Sequence, residues 1–293
     1  MLTFPILYTL KQEGFEVNLF TRGNLLNLSR ELGLVNGGEA MDSLKLLPLF
    51  SGNPLPPGLR EFINSHDFVI SYAPSRDRMN CILAGILKER LLTLPVDRTT
   101  LSSHLTECLF EPVKKLGGER IIPFPGIWKN SGNAILIHPG SGGKWKRWPK
   151  EKFRVLISLL LPAGKVKVIL GEAEAREISY WEKTCEVIFN PSLSRLKQIL
   201  LQAKIFLGND SGVTHLSAFL GVPTLAIFGP TSPHIWGPQG KRVKIIYREY
   251  PCSPCSDTQR EKCRDFPCLQ DISAEDVAEI ISVLSPLKSQ GNL

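Results

Sequence analysis

No stretch of the 293 residues approaches the roughly 18 to 20 uninterrupted apolar residues of a membrane-spanning helix, which excludes such a span within the sequence. The first residues carry no basic segment followed by an apolar run, so a secretory leader is not expected and a cytoplasmic protein is. Internal repeats and low-complexity tracts are absent, which excludes solenoids and fibrous proteins. The basic residues form no stripe interleaved with aromatics, so nucleic acid is not an expected partner.

What is present describes a globular α/β chain. Apolar residues make up 43% and charged residues 22%, an ordinary balance, and 293 residues suit two domains of similar size. The formal net charge of +7 is unevenly placed. Lys144, Lys146, Arg147, Lys150, Lys152 and Arg154 lie within eleven residues beside one acid, Glu151. A local cluster of this kind points to a local anion, although a solvated helix face gives the same pattern.

From residue 134 onward strands and helices alternate. Apolar runs at 134–137, 166–170, 186–189, 205–207 and 224–228 read as strands, with helices after Pro149, through Trp181, around Leu196–Leu200 and over 212–220. This alternation predicts a parallel, doubly wound sheet. The first half reads in the same way, with strands at Val17–Phe20, Phe68–Tyr72 and Leu91–Leu94 and helices at Leu25–Leu32 and Leu105–Leu116. Residues 122–133, rich in Pro, Gly and Asn, form the candidate linker, giving expected domains over 1–126 and 134–285.

In such a sheet ligands lie beyond the carboxyl ends of the strands. Three strand-end loops carry suitable chemistry. His138-Pro-Gly-Ser-Gly-Gly143 has three glycines that let several N–H groups face one point, a hydroxyl on Ser141, and Lys144, Lys146 and Arg147 directly after it. That combination fits a diphosphate, while the glycines alone also fit a flexible loop. In Leu207-Gly-Asn-Asp-Ser-Gly-Val-Thr-His215, Asp210 suits sugar hydroxyls, and Ser211 suits a helix cap that offers N–H groups to a ligand. Either residue equally serves as a cap alone, and His215 reads as structural. In Phe228-Gly-Pro-Thr-Ser-Pro233, Thr231 and Ser232 are phosphate or sugar contacts, or turn residues.

Together these segments, with Lys146-Arg-Trp-Pro149 and Gly221-Val-Pro223, resemble the signature of the family 9 glycosyltransferases, which contain the ADP-heptose:lipopolysaccharide heptosyltransferases. The resemblance is specific over residues 134–240, continues to about 280 and is weaker over 5–120. It implies a GT-B fold, two Rossmann-like doubly wound domains facing across a cleft, with the donor on the second and the acceptor on the first. It further implies metal-independent, inverting transfer of heptose from ADP-heptose to a lipid-linked saccharide of the lipopolysaccharide core, on the inner face of the cytoplasmic membrane. Ser141, Gly142 and Lys146, with Lys144 as substitute, match phosphate-binding positions. Asp210, Ser211 and Gly212 match those touching sugar and diphosphate, with Thr231 beside them. Glu174, with Glu172 as rival, resembles the acid that binds the adenosine ribose.

Two features depart from that pattern. Members of the family open with a strand and a Gly-Asp loop whose aspartate serves as general base, whereas Met1–Lys11 corresponds to the helix that follows. The first sheet should therefore be interrupted, and no catalytic residue is nominated, since Asp67, Asp77 and His66 have no motif support. A start roughly 15 to 20 residues upstream, the length a strand and loop require, is the expectation. A non-transferring nucleotide-sugar-binding homologue is the alternative, and a GT-B epimerase a third reading. The second feature is Cys252-x2-Cys255-x7-Cys263-x4-Cys268, whose spacing suits buried thiols, disulfides or a structural zinc. Cys81, Cys108 and Cys185 read as core residues.

Overall fold

The structure is a computed structural model that describes residues 1–74, 76–94, 101–129 and 132–284. Asn130 and Ser131 of the expected linker, and residue 285, fall outside the described residues. The chain divides into two compact units between Pro123 and Phe124, Met1 grouping with the second. Among the described residues no helix is long and apolar enough to cross a membrane.

The first unit contains β1 (Asn18–Thr21), β2 (Gly37–Ala40), β3 (Val69–Ser71) and β4 (Leu91–Thr93). β1 pairs with β2 and β3 with β4, both in parallel, and the two pairs form separate two-stranded sheets. The expected interruption of the first sheet thus takes the form of two ribbons. Leu46, Leu49, Ile63, Leu83 and Leu87 form a cluster against which Phe20, Val69 and Leu91 pack, so one apolar core serves both ribbons. The sequence reading missed β2, because Gly-Gly-Glu-Ala has poor strand propensity and is held by its pairing with β1. Cys81 corrects another expectation. It is exposed, because the helix Arg78–Leu87 turns Asn80, Leu83 and Leu87 inward; Cys108 and Cys185 are only half-buried.

The second unit is built on a six-stranded parallel sheet of β5 (Ala134–His138), β6 (Lys165–Leu170), β7 (Glu186–Phe189), β8 (Ala203–Asn209), β9 (Thr224–Phe228) and β10 (Val243–Tyr247). Its order is β10-β9-β8-β5-β6-β7. From β5 the chain winds outward through β6 and β7, then returns to the other flank of β5 as β8. The winding direction therefore reverses between β5 and β8, and the crevice at their carboxyl ends is where such sheets bind ligands. β5 and β9 are buried at every position, as strands covered on both faces must be. Helix Lys150–Leu160 lays Phe153, Leu156, Ile157 and Leu160 against the sheet, where Trp148, Trp181 and Val277 join them. Each such side chain contributes about 1.5–3 kcal/mol on burial. Pro149 stands at the cap of that helix rather than inside it. β10, which the sequence reading did not include, is an edge strand whose apolar run is interrupted by the exposed Lys244.

Candidate functional site

The reversal point brings the loops after β5, β8 and β9 together, and Asp210 is where they meet. Its Oδ2 accepts hydrogen bonds from Lys146 Nζ at 2.7 Å and from Thr231 Oγ1 at 2.9 Å, while its main-chain oxygen accepts Ser141 Oγ at 2.7 Å. Ser141, Asp210 and Thr231 are buried, and the Lys146 side chain keeps 23% of its exposure. A lysine and a carboxylate held this close, with Ser141 of the glycine loop bonded to the same residue, form a preorganised polar centre. An arriving anion competes with Asp210 for the ammonium group, and the second carboxylate oxygen remains free to accept a hydroxyl.

The other expected residues differ in their surroundings. A Cβ on Gly142 or on Gly212 would meet nothing within 4 Å, so their backbones face open space, as close approach of a ligand requires. Ser211 caps the helix Gly212–Phe219, its Oγ accepting from Thr214 N at 3.4 Å, while the amides of Gly212 and Val213, at the start of the helix, have no intrahelical acceptors. Lys144 is exposed on the turn after the loop. His215 is half-buried one turn into the same helix, and its N–H bonds Ser211 O.

Glu174 is more constrained than the sequence suggests. It is 4% exposed, with Oε1 on Arg147 Nη2 at 2.7 Å and Oε2 accepting Gly171 N at 3.0 Å. Arg147 also donates to Ser141 O at 3.0 Å, so the Glu174–Arg147 pair supports the glycine loop from below. Glu172, its rival, is exposed. Gly140 lies directly over Glu174 and His138; a Cβ there would come within 2.8 Å of both side chains. His138 is buried with Nδ1 on Ile169 O at 2.9 Å, and burial holds its pKa below the ordinary 6.5.

Two contributors lie in quoted segments but have no role at the site in the sequence reading. Asn209, fully buried, joins the first loop to β8. Its signal in the sequence was its place in Gly208-Asn-Asp-Ser-Gly212, directly before Asp210 at a strand end. The second contributor is the cysteine segment. Ser253 Oγ donates to Gly229 O at 2.9 Å, Cys255 N donates to Pro230 O at 2.9 Å, and the Arg260 guanidinium lies 4.4 Å over the Trp145 ring. The first two contacts brace the loop that carries Thr231, and the third reaches the turn after the glycine loop. All seven cysteines are free thiols, so the disulfide reading is corrected. Among the described residues no three or more His, Cys, Asp or Glu side chains group as a metal site needs, which removes geometric support for the zinc reading. Cys252 is exposed while Cys268 is buried. Burial, then the neighbouring thiols, pushes Cys255 up, and Cys268 up to about 11.

In the first unit, none of the three residues without motif support gains an obvious chemical role. Asp77 caps helix Arg78–Leu87 by accepting Met79 N at 2.9 Å. His66 bonds Phe62 O and Asn18, and Asp67 is exposed.

A family model described as glycosyltransferase family 9 (heptosyltransferase) matches residues 101–264. Lipopolysaccharide heptosyltransferase 1 of Pseudomonas aeruginosa is 32% identical over 128 residues, 41% of this chain and 35% of that protein. The match spans about a third to a half of the length of the curated relatives. Among solved structures, the family 9 glycosyl transferase of Veillonella parvula superposes with a TM-score of 0.76 at 17% identity, covering 97% of this chain and 93% of that one. The E. coli heptosyltransferase WaaC, solved with ADP, gives 0.65 at 18% identity, covering 97% and 95%. Such structures share the fold, an α/β chain of GT-B type with two Rossmann-like units. Because the family model spans more than half of the residues and contains the loops that meet on Asp210, this chain belongs to glycosyltransferase family 9.

Proposed function

We propose that this chain transfers heptose from ADP-heptose to a lipid-linked saccharide of the lipopolysaccharide inner core, with inversion and without a metal ion, at the inner face of the cytoplasmic membrane. The observation that carries the reading is the meeting of Ser141, Lys146 and Thr231 on Asp210 at the reversal point of the sheet. The relatives are named as heptosyltransferases, and one solved neighbour holds ADP. In the reaction an acceptor oxygen forms a bond to the anomeric carbon as the bond from that carbon to the diphosphate breaks, and the acceptor proton leaves to a base. Lys146 and Lys144, the loop amides around Gly142 and the helix end at Ser211–Gly212 neutralise the departing diphosphate, as fixed dipoles and cations do where charge develops. Asp210 accepts sugar hydroxyls. The ribose falls to an acid after β6: Glu172 is free for it, whereas Glu174 must first release Arg147. The acceptor belongs to the first unit, where a cavity of about 710 Å³ at the ends of β1 and β2 is lined by Arg22, Asn24, Asp42 and Phe50.

The test is turnover of ADP-heptose with a Kdo-lipid acceptor in the presence of a chelator. No turnover, with clear turnover by a family relative in the same assay, rejects transfer. The structural bonds of Asp77 and His66 favour a second reading, a nucleotide-sugar-binding homologue without transfer. It predicts ADP binding that Lys146→Ala or Asp210→Ala weakens, and no product.

A further inference from the structure

The loop between β5 and helix Lys150–Leu160 carries Ser141, Lys144, Lys146 and Arg147, yet it contains three glycines and would be expensive to hold in one shape. Within the loop Arg147 bonds back to Ser141 O, and one side chain from outside the loop, Asn209, bonds both of its ends. Asn209 is completely buried at the end of β8. Its Nδ2 donates to Pro139 O at 2.8 Å and, more weakly, to Gly140 O at 3.5 Å, where the loop begins. Its Oδ1 accepts Trp148 N at 3.0 Å, where the loop ends. The orientation of the carboxamide is forced, because Trp148 N–H can only donate and the two carbonyls can only accept. Aspartate offers no donor to the carbonyls, leucine neither group, and serine is too short to reach both ends.

Asn209 also reaches the other half of the site through its own backbone. Its carbonyl accepts Thr214 Oγ1 at 2.5 Å in the capped helix, and the next residue is Asp210. One residue therefore sets the glycine loop, the basic turn and the capped helix relative to each other.

We infer that Asn209 is a positioning residue that preorganises the loop 139–148 for a nucleoside diphosphate by bonding both ends of that loop through one buried carboxamide. This inference rests on the proposal that the loop holds the donor diphosphate. Without the carboxamide the loop amides and Lys146 must be ordered at the moment of binding, and affinity falls by that cost.

The experiment uses the full chain and ADP as probe, with binding measured calorimetrically for the wild type, Asn209→Asp and Asn209→Ala, and with amide hydrogen exchange over 139–148. The expected result is an ADP dissociation constant raised about tenfold to a hundredfold at unchanged stoichiometry, with faster exchange confined to that loop. Equal dissociation constants in wild type and variants overturn the inference. So does a reduced stoichiometry at unchanged dissociation constant, the sign of a purely structural role that only removes folded molecules. If neither variant folds, the wild type decides: Trp148 N–H exchanging as fast as exposed loop amides overturns the inference, and strong protection supports it. Failure of the wild type to bind ADP instead rejects the donor-site reading itself, a separable outcome.

Discussion

Within the site, Lys146 and Asp210 form a pair in which each does a different task. Lys146→Ala removes the cation meant for the diphosphate, and ADP affinity is expected to fall about tenfold to a hundredfold by calorimetry, the range for losing one buried charged contact. Asp210→Asn releases the lysine while weakening acceptance of sugar hydroxyls. ADP-heptose binding should therefore weaken more than ADP binding, and an equal loss for both ligands would contradict a sugar role for Asp210. The acids after β6 separate in the same way. Glu172→Gln should raise the dissociation constant of ADP with little change in stability, whereas Glu174→Gln leaves Arg147 short of its partner and should lower the unfolding midpoint as well. His138 adds a pH dependence. Burial lowers its folded pKa below 6.5, so protonation favours the unfolded chain. Its contribution is complete above about pH 6.5 and is lost as pH falls below that value. Denaturant midpoints between pH 7 and pH 5 should decline less steeply in His138→Asn, which keeps a donor for Ile169 O.

Among the elements, the strands of the second unit were legible because their apolar runs are fully covered, and β5 and β9 follow the apolar pattern almost residue for residue. β10 and β2 were not legible. β10 sits at an edge with a lysine as its second residue, and β2 owes its conformation to β1 rather than to Gly-Gly-Glu-Ala. Helix ends depended on side chains that the sequence does show: Ser211 caps helix Gly212–Phe219, and Gly221 follows it with φ +82°. An alanine at 221 would be strained there and would approach Gly126 Cα at 3.2 Å. Gly221→Ala should cost about 1–2 kcal/mol, read as a lower denaturant midpoint at unchanged slope, and an unchanged midpoint would refute that account.

For the whole molecule, the two units differ in what they contribute to ligand binding. Every residue of the candidate donor site lies after residue 124, inside the unit with the continuous six-stranded sheet. Saturating ADP is therefore expected to slow amide exchange in β5, β8 and the loops they feed, and to leave residues 2–123 unchanged. At a hundred times its dissociation constant ADP should stabilise the second unit by about 2.7 kcal/mol. Protection spread equally over both units would count against a donor site confined to the second.

The sequence by itself determined the alternation of strand and helix, the three strand-end loops and the basic cluster, because these follow from local patterns of apolar residues, glycines and charge. It also determined the family, since the motifs are contiguous segments. Only the tertiary structure decided which groups meet. Lys146 and Asp210 are 64 residues apart in the chain, and Thr231 is 21 beyond Asp210. Their contact exists because the sheet reverses its winding between β5 and β8, which no local pattern encodes. The same long-range geometry set Glu174 against Arg147 beneath the glycine loop and placed Asn209 across the loop's two ends.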